Sequence, residues 1–178
     1  GVFESTNGGE TFAGRNGGFI TSQFYNGFAN AGQDSLIALG GTQDNGTLKY
    51  EGTLSWNKVY GGDGGWCAID PLNKKILYEE YVYLTIAKST DGGINWSQIY
   101  ASRSDSSNFI APFVVAPSNS SVLYGGTKKI IKSTNGGNTW FETNNKTVLN
   151  GTNISCIGVS FTSADTVIST ARMNATSR

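Results

Sequence analysis

One eight-residue segment occurs three times in this chain of 178 residues: Ser5-Thr-Asn-Gly-Gly-Glu-Thr-Phe12, Ser89-Thr-Asp-Gly-Gly-Ile-Asn-Trp96 and Ser133-Thr-Asn-Gly-Gly-Asn-Thr-Trp140. The starts lie at positions 5, 89 and 133, so the second gap is 44 residues and the first is close to twice that. A degenerate copy fills the missing step: Tyr50-Glu-Gly-Thr-Leu-Ser-Trp56 ends 44 residues after Phe12 and 40 before Trp96. A period in this range marks a repeat architecture, in which each unit is one supersecondary element stacked on its neighbour. The segment is called the box below.

The box has the chemistry of a hairpin turn. The short Asn or Asp side chain (Asn7, Asp91, Asn135) bonds neighbouring backbone N–H groups. The paired glycines ending at Gly9, Gly93 and Gly137 permit positive φ. The closing Phe12, Trp96 or Trp140 is a large ring suited to packing between sheets. Short apolar runs precede the boxes: Ile86-Ala-Lys88 and Lys129-Ile-Ile-Lys132. Earlier in each unit stand Trp66–Asp70 and Phe113–Ala116, then Lys75–Tyr78 and Val122–Tyr124, linked by turns at Asp70-Pro71-Leu-Asn73 and Ala116-Pro117-Ser-Asn119. Four short strands per unit of roughly 40 residues is the blade pattern of a β-propeller.

These segments resemble the Asp box, S-x-D-x-G-x-T-W, of the BNR-repeat families, which include sialidases, sortilin-like receptor domains and xyloglucanase-type glycosyl hydrolases. Asp91 fills the acidic position, while Asn7 and Asn135 replace it. The resemblance implies a structural box that joins the two outer strands of a blade, away from the ligand face. Ser5, Asn7, Gly9, Phe12, Ser89, Asp91, Gly93, Trp96, Ser133, Asn135, Gly137 and Trp140 are therefore expected to hold the fold rather than to do chemistry. The expected fold is all-β, with blades of four antiparallel strands. About four blades' worth of sequence is present, expected to be part of a propeller of about six to eight blades.

The whole chain, 1–178, reads as one partial propeller domain. Blade boundaries fall near 13–60, 61–100 and 101–143, with 1–12 and 144–178 as partial blades. The first residues, Gly1-Val2-Phe3, already read as a strand, and no signal peptide or initiator Met is present, so the chain reads as cut from a longer precursor. The remaining blades of that chain are then its partners. A four-bladed ring, or two chains pairing into an eight-bladed one, stays open as an alternative. Cys67 and Cys156 align at one place on the innermost strand, two blades apart, with Phe113 between. Buried packing is expected for both rather than a disulfide, which needs Cα atoms within roughly 7 Å.

Composition narrows the function. Thirteen basic residues balance thirteen acidic ones with no basic stripe, so nucleic acid is not an expected partner. No apolar run is long enough to span a bilayer. Histidine is absent, which removes the commonest general base and zinc ligand. The two Cys lack metal-site spacing. Sialidase chemistry is disfavoured, because only Arg15, Arg103, Arg172 and Arg178 are available for a carboxylate-binding cluster. Sequons occur at Asn45, Asn95, Asn119, Asn145, Asn150, Asn153 and Asn174. They would be glycan acceptors in a eukaryotic secreted protein and mean little in a bacterial one.

Two glycine-rich segments stand out, Gly40-Gly-Thr-Gln-Asp-Asn-Gly46 and Tyr60-Gly-Gly-Asp-Gly-Gly-Trp66. Both resemble GGxQDNG and GGDG segments of secreted bacterial BNR-repeat or sortilin-like glycosyl hydrolases. Asp44 and Asp63, with Asn45, are expected to converge near the mouth of the ring, and Trp66 and Tyr60 flank them as candidate sugar platforms. As a carboxylate pair, Asp63 and Asp44 suit acid–base work on a glycosidic bond. With loop carbonyls they suit Ca²⁺, the one cofactor that this chemistry suggests. Turn formation explains the same residues equally well. Three functions remain open: an extracellular module binding glycan or protein, an Asp-based glycoside hydrolase of xyloglucanase type, and a structural repeat of a secreted or surface protein.

Overall fold

The computed structural model describes residues 2–15, 17, 22–102, 107–143 and 151–171. Within them lie three four-stranded antiparallel sheets and two hairpins. The first hairpin joins β1 (Phe3–Glu4) and β2 (Ala13–Gly14). The first full sheet is a meander of β3 (Ala29–Ala31), β4 (Asp34–Thr42), β5 (Gly46–Glu51) and β6 (Trp56–Tyr60). The second holds β7 (Cys67–Ile69), β8 (Leu77–Glu80), β9 (Ile86–Ser89) and β10 (Ser97–Tyr100). The third holds β11 (Phe113–Val115), β12 (Leu123–Gly126), β13 (Ile130–Ser133) and β14 (Phe141–Glu142). A last hairpin pairs β15 (Ile154–Val159) with β16 (Val167–Ala171).

The Ser89 and Ser133 boxes lie between the third and fourth strands of their sheets and the Ser5 box between β1 and β2, and one bonding scheme recurs in all three. The serine Oγ donates to the Asn or Asp Oδ1 (3.0, 2.8 and 3.0 Å for Ser5, Ser89 and Ser133) and accepts the N–H of the second glycine. The same Oδ1 accepts the backbone N–H four residues on, from Thr11, Asn95 or Thr139. The remaining pair co-varies in polarity. Asn7 and Asn135 donate Nδ2–H to Thr11 and Thr139, whereas the Asp91 carboxylate accepts from Asn95 Nδ2 at 2.7 Å. These bonds pull the Asp91 carboxyl down to about 2, the backbone N–H of Asn95 contributing most.

The sheets stack face to face, so inner strands are buried on both sides; β8 and β12 have no exposed residue. Ala31, Leu39, Cys67, Ile69 and Leu77 fill the first interface, against Val59 and Trp96. Tyr78, Leu84, Ile86, Phe113, Val115, Leu123 and Ile131 fill the second, against Trp66 and Trp140. Val122, Tyr124, Ile130, Ile154 and Ile157 fill the third. Box tryptophans thus pack back on the preceding sheet. Trp140 Nε1 also donates to Ile99 O there, at 3.1 Å. Phe12 has no such sheet beneath it among the described residues and is 66% exposed.

Cys156 corrects the sequence reading. Cys67 and Phe113 stand two residues before Ile69 and Val115, which face Leu77 and Leu123. The equivalent residue of β15 is Ile157, two before Val159, which faces Val167. A register shift between Ile154 and Cys156 and the two-residue period of the strand turn Cys156 to the other face. Cys67 is buried, Cys156 is exposed, and both are free thiols.

Candidate functional site

An antiparallel meander sends its first-to-second and third-to-fourth turns to one end and all other connections to the opposite end. The boxes occupy the first end. The Asp44 and Asp63 loops occupy the second, where the loops between sheets also converge. Asp44 donates its backbone N–H to Asp63 Oδ1 at 2.8 Å, and Gly46 bridges Asp63. Gly64 donates to Thr42 O at 3.0 Å. Asp44 adopts φ 60°, a left-handed turn geometry in which Asp is tolerated. The two predicted acids are therefore brought together, and one Asp63 oxygen ties the loops. Asn45 returns its amide to Gln43 O within its own loop. Tyr25 lies close enough that burial, Asp63 and Asp44 together raise its phenol.

Tyr60 and Trp66 turn into packing. Tyr60 sets its ring edge-on to Trp96 at 5.6 Å, and burial followed by Glu79 raises its phenol. The Trp66 ring lies against Gly27, where an added Cβ would fall 2.4 Å from the ring. Arg15 pairs with Glu4 at 2.6 Å. Arg103, Arg172 and Arg178 lie outside the described residues, as do the sequons at Asn145, Asn150 and Asn174. No group of three or more His, Cys, Asp or Glu side chains is arranged to hold a metal among the described residues. Of the four Asp44 and Asp63 carboxylate oxygens, Asp63 Oδ1 is engaged by the Asp44 N–H.

The sequence reading overlooked Glu79 and Glu80. Strand register makes them the counterparts of Gly40-Gly41 on β4 and Gly125-Gly126 on β12. Both carboxylates are completely buried. Burial pushes each up to about 8. Glu80 accepts three backbone N–H bonds, from Trp66 (3.2 Å), Leu84 (3.1 Å) and Ala111 (3.0 Å), which support its ionised form. Glu79 accepts one bond, from Thr47 Oγ1 at 3.2 Å, and its Oε1 has no partner. Glu79 is thus the carboxyl of the pair that best holds a proton at neutral pH.

Glu80 also anchors a strained turn. Val82–Thr85 closes with Thr85 N–H to Val82 O, with Tyr83 and Leu84 at φ 52° and 55°. Two consecutive left-handed residues define a type I′ turn, which normally takes Asn-Gly. Each non-glycine residue held there costs about 1–2 kcal/mol. Complete burial of Leu84 and its N–H bond to Glu80 offset that strain. The turn presents Tyr83, 53% exposed, edge-on to Phe109 at 5.4 Å, with Tyr83 N–H bonded to Phe109 O. Tyr81 packs its ring on Gly62 beside Asp63. A Tyr-x-Tyr in the second-to-third turn, where the neighbouring units carry Asp-Asn-Gly and Thr-Lys-Lys, is the sequence signal for this feature.

No family model and no curated protein matches this chain. Solved structures do. The GH74 xyloglucanase from Xanthomonas campestris superposes with TM-score 0.56 at 12% identity, over 74% of this chain and 24% of that one. The Niastella koreensis GH74 enzyme gives 0.54 at 21% identity, over 65% and 22%. An ancestral GH74 enzyme gives 0.53 at 23% identity, over 64% and 17%. This chain therefore matches no more than 24% of the length of any of these three. At such identities the likeness shows the fold, which is a β-propeller of four-stranded antiparallel blades. No helix among the described residues is long and apolar enough to cross a membrane.

Proposed function

We propose that this chain is part of a secreted or cell-surface Asp-box propeller, and that the end opposite the boxes binds glycan. The carrying observation is the strained Val82–Thr85 turn, which stores backbone energy to hold Tyr83 against Phe109 on the surface. Strain of this kind persists where its product is used. Flat aromatic faces beside fixed carboxylates suit the apolar face and hydroxyl rim of a sugar ring. Tyr83, Phe109 and Tyr81 supply the faces, and Asp44 and Asp63 supply the acceptors. Glu80 is the positioning residue, since it holds the turn and the Ala111 backbone together. No step of this reading passes through Ca²⁺.

A glycoside hydrolase of xyloglucanase type is the second reading, favoured by the direct link between the Asp44 and Asp63 loops. Two carboxyl groups across a scissile bond would act as acid and base or nucleophile. The readings separate on one pair of variants, with xyloglucan oligosaccharides as the probe. Binding without turnover predicts that Tyr83→Asn abolishes retention while no new reducing ends appear with the unmodified chain. Hydrolysis predicts reducing ends that Asp63→Asn removes. Neither retention nor release would leave both readings without support.

A further inference from the structure

The two complete sheets β3–β6 and β7–β10 leave a groove between them at the box end, and two cavities open into it. The inner one, of about 280 Å³, lies between residues 31–34 and 70–74. The outer one, of about 480 Å³, has apolar walls of Ile37, Val59 and Ile94 beside Gly93. Lys74 lines both, so the cavities share one rim. Leu72 and Ile94 stand at the tips of that rim, 76% and 80% exposed.

The same place between β7–β10 and β11–β14 is filled. Tyr78 stands opposite Lys88 and brings its phenol oxygen to 4.0 Å from a Cβ placed on Gly136, while Ile99 Cδ1 comes to 2.4 Å from one on Gly137. At the groove Leu39 stands opposite Lys49, where a ring is lacking, and Val59 replaces Ile99. Lys49 Nζ alone comes within 4 Å of a Cβ on Gly92, and Val59 stays 3.5 Å from one on Gly93. The absent ring and methylene leave the outer cavity open. The tips differ as well. Asn73 Oδ1 accepts the Lys75 N–H as Asn119 Oδ1 accepts that of Ser121, so Leu72, Lys75 and Ile94 align with Ser118, Ser121 and Asn138.

Charge at the groove is matched within the chain at every position but one. Asp34 accepts from Lys74 Nζ at 2.7 Å and from the Leu36 N–H. Asp70 accepts the Leu72 and Asn73 N–H groups. Glu51 accepts from Lys49 Nζ at 2.7 Å and Asn57 Nδ2 at 3.1 Å, and Lys49 donates also to Gly92 O. Asp91 is engaged within its own box. Lys75 is the one charged side chain lining the groove whose ammonium has no partner among the described residues. We propose that the groove docks an extended acidic peptide of a partner protein, with an aromatic or branched apolar side chain in the outer cavity and an Asp or Glu carboxylate on Lys75. The apolar side chain takes the place that Tyr78 fills one interface on. Both groups meet the same cavity, and an extended chain advances about 3.3 Å per residue, so they lie within two positions of each other in the peptide. This site is at the opposite end of the sheets from the Asp44 and Asp63 loops and does not rest on glycan binding there.

A random dodecapeptide library displayed on phage, selected on the intact chain, tests this. Enriched peptides are expected to share an aromatic or branched apolar residue within two positions of an Asp or Glu. The strongest of them, synthesised with both ends blocked, is then titrated by fluorescence anisotropy. Lys75→Ser and Ile94→Asn, which introduce the residues that the β11–β14 sheet carries at these places, each weaken its binding by about tenfold or more. Changing the peptide's acid to its amide weakens binding to the unmodified chain by a like factor, but to Lys75→Ser by less than about twofold, because that pair is already broken. Circular dichroism shows whether each variant keeps its sheets, and the change in the peptide repeats the test on the unmodified protein. No shared sequence, a shared sequence without an acid, or affinity that either variant leaves unchanged would overturn the inference. So would equal losses from the amide on both proteins, since the carboxylate would then meet some group other than Lys75.

Discussion

Replacing Glu79 with Gln should flatten the dependence of stability on pH between about 5 and 8. An unfolded Glu releases its proton near 4.5, whereas folded Glu79 holds it to about 8. Between these values the folded state binds more protons than the unfolded one, so stability falls as pH rises. A shift of this size has a ceiling of about 5 kcal/mol at 1.36 kcal/mol per pKa unit, and relaxation of the site brings the expected loss to a few kcal/mol. The window is clean through its lower part, because the chain has no His, while the Cys67 thiol, which burial pushes up, adds a slope of the same sign only towards pH 8. Gln keeps the shape and can still accept from Thr47, but cannot ionise. Urea unfolding at pH 5, 6, 7 and 8 measures the slope for both proteins. Glu80 leaves a residual slope in the variant. If the unmodified chain is as stable at pH 8 as at pH 5, or the two slopes coincide, Glu79 is not the buried acid described here.

Three further outcomes follow from the same geometry. Trp140→Ala should cost about 3–5 kcal/mol in denaturant unfolding, because its ring fills the second interface and its Nε1 bonds Ile99 O, while Phe12→Ala, at an exposed position, should change stability by less than about 1 kcal/mol. Lys88→Met should cost about 1–3 kcal/mol by losing the Gly136 bond and the Tyr78 contact, read from the same curves. Asp91, with a folded value of about 2, stabilises the fold above its unfolded value near 4, and that contribution is lost as pH falls through 2; acid titration of Asp91→Asn, followed by circular dichroism, should lack this step.

The repeat makes the sheets legible in the sequence, since Ser-Thr-Asn/Asp-Gly-Gly dictates its own turn through bonds within eight residues. Asp44 and Asp63 were legible as neighbours because glycine-rich loops flank one degenerate unit. The acids at 79 and 80 were not, because a Glu-Glu pair looks like solvated surface until strand register shows that it replaces two buried glycine pairs. Tyr83 was hidden for a related reason: no local pattern announces a type I′ turn made from Tyr-Leu, which exists only because Leu84 is buried and Glu80 accepts its N–H. Cys156 misled through a one-residue shift that reverses the face of a strand.

The most direct measurement is calorimetric titration of the intact chain, and of Tyr83→Asn, with soluble glucan, xylan and xyloglucan oligosaccharides. Asn suits the left-handed turn better than Tyr, so the variant should be more stable by about 1 kcal/mol. A glycan-binding face predicts saturable heat with at least one oligosaccharide and its loss in this stabilised variant. Binding that survives Tyr83→Asn unchanged, or no heat with any of the oligosaccharides, would contradict it.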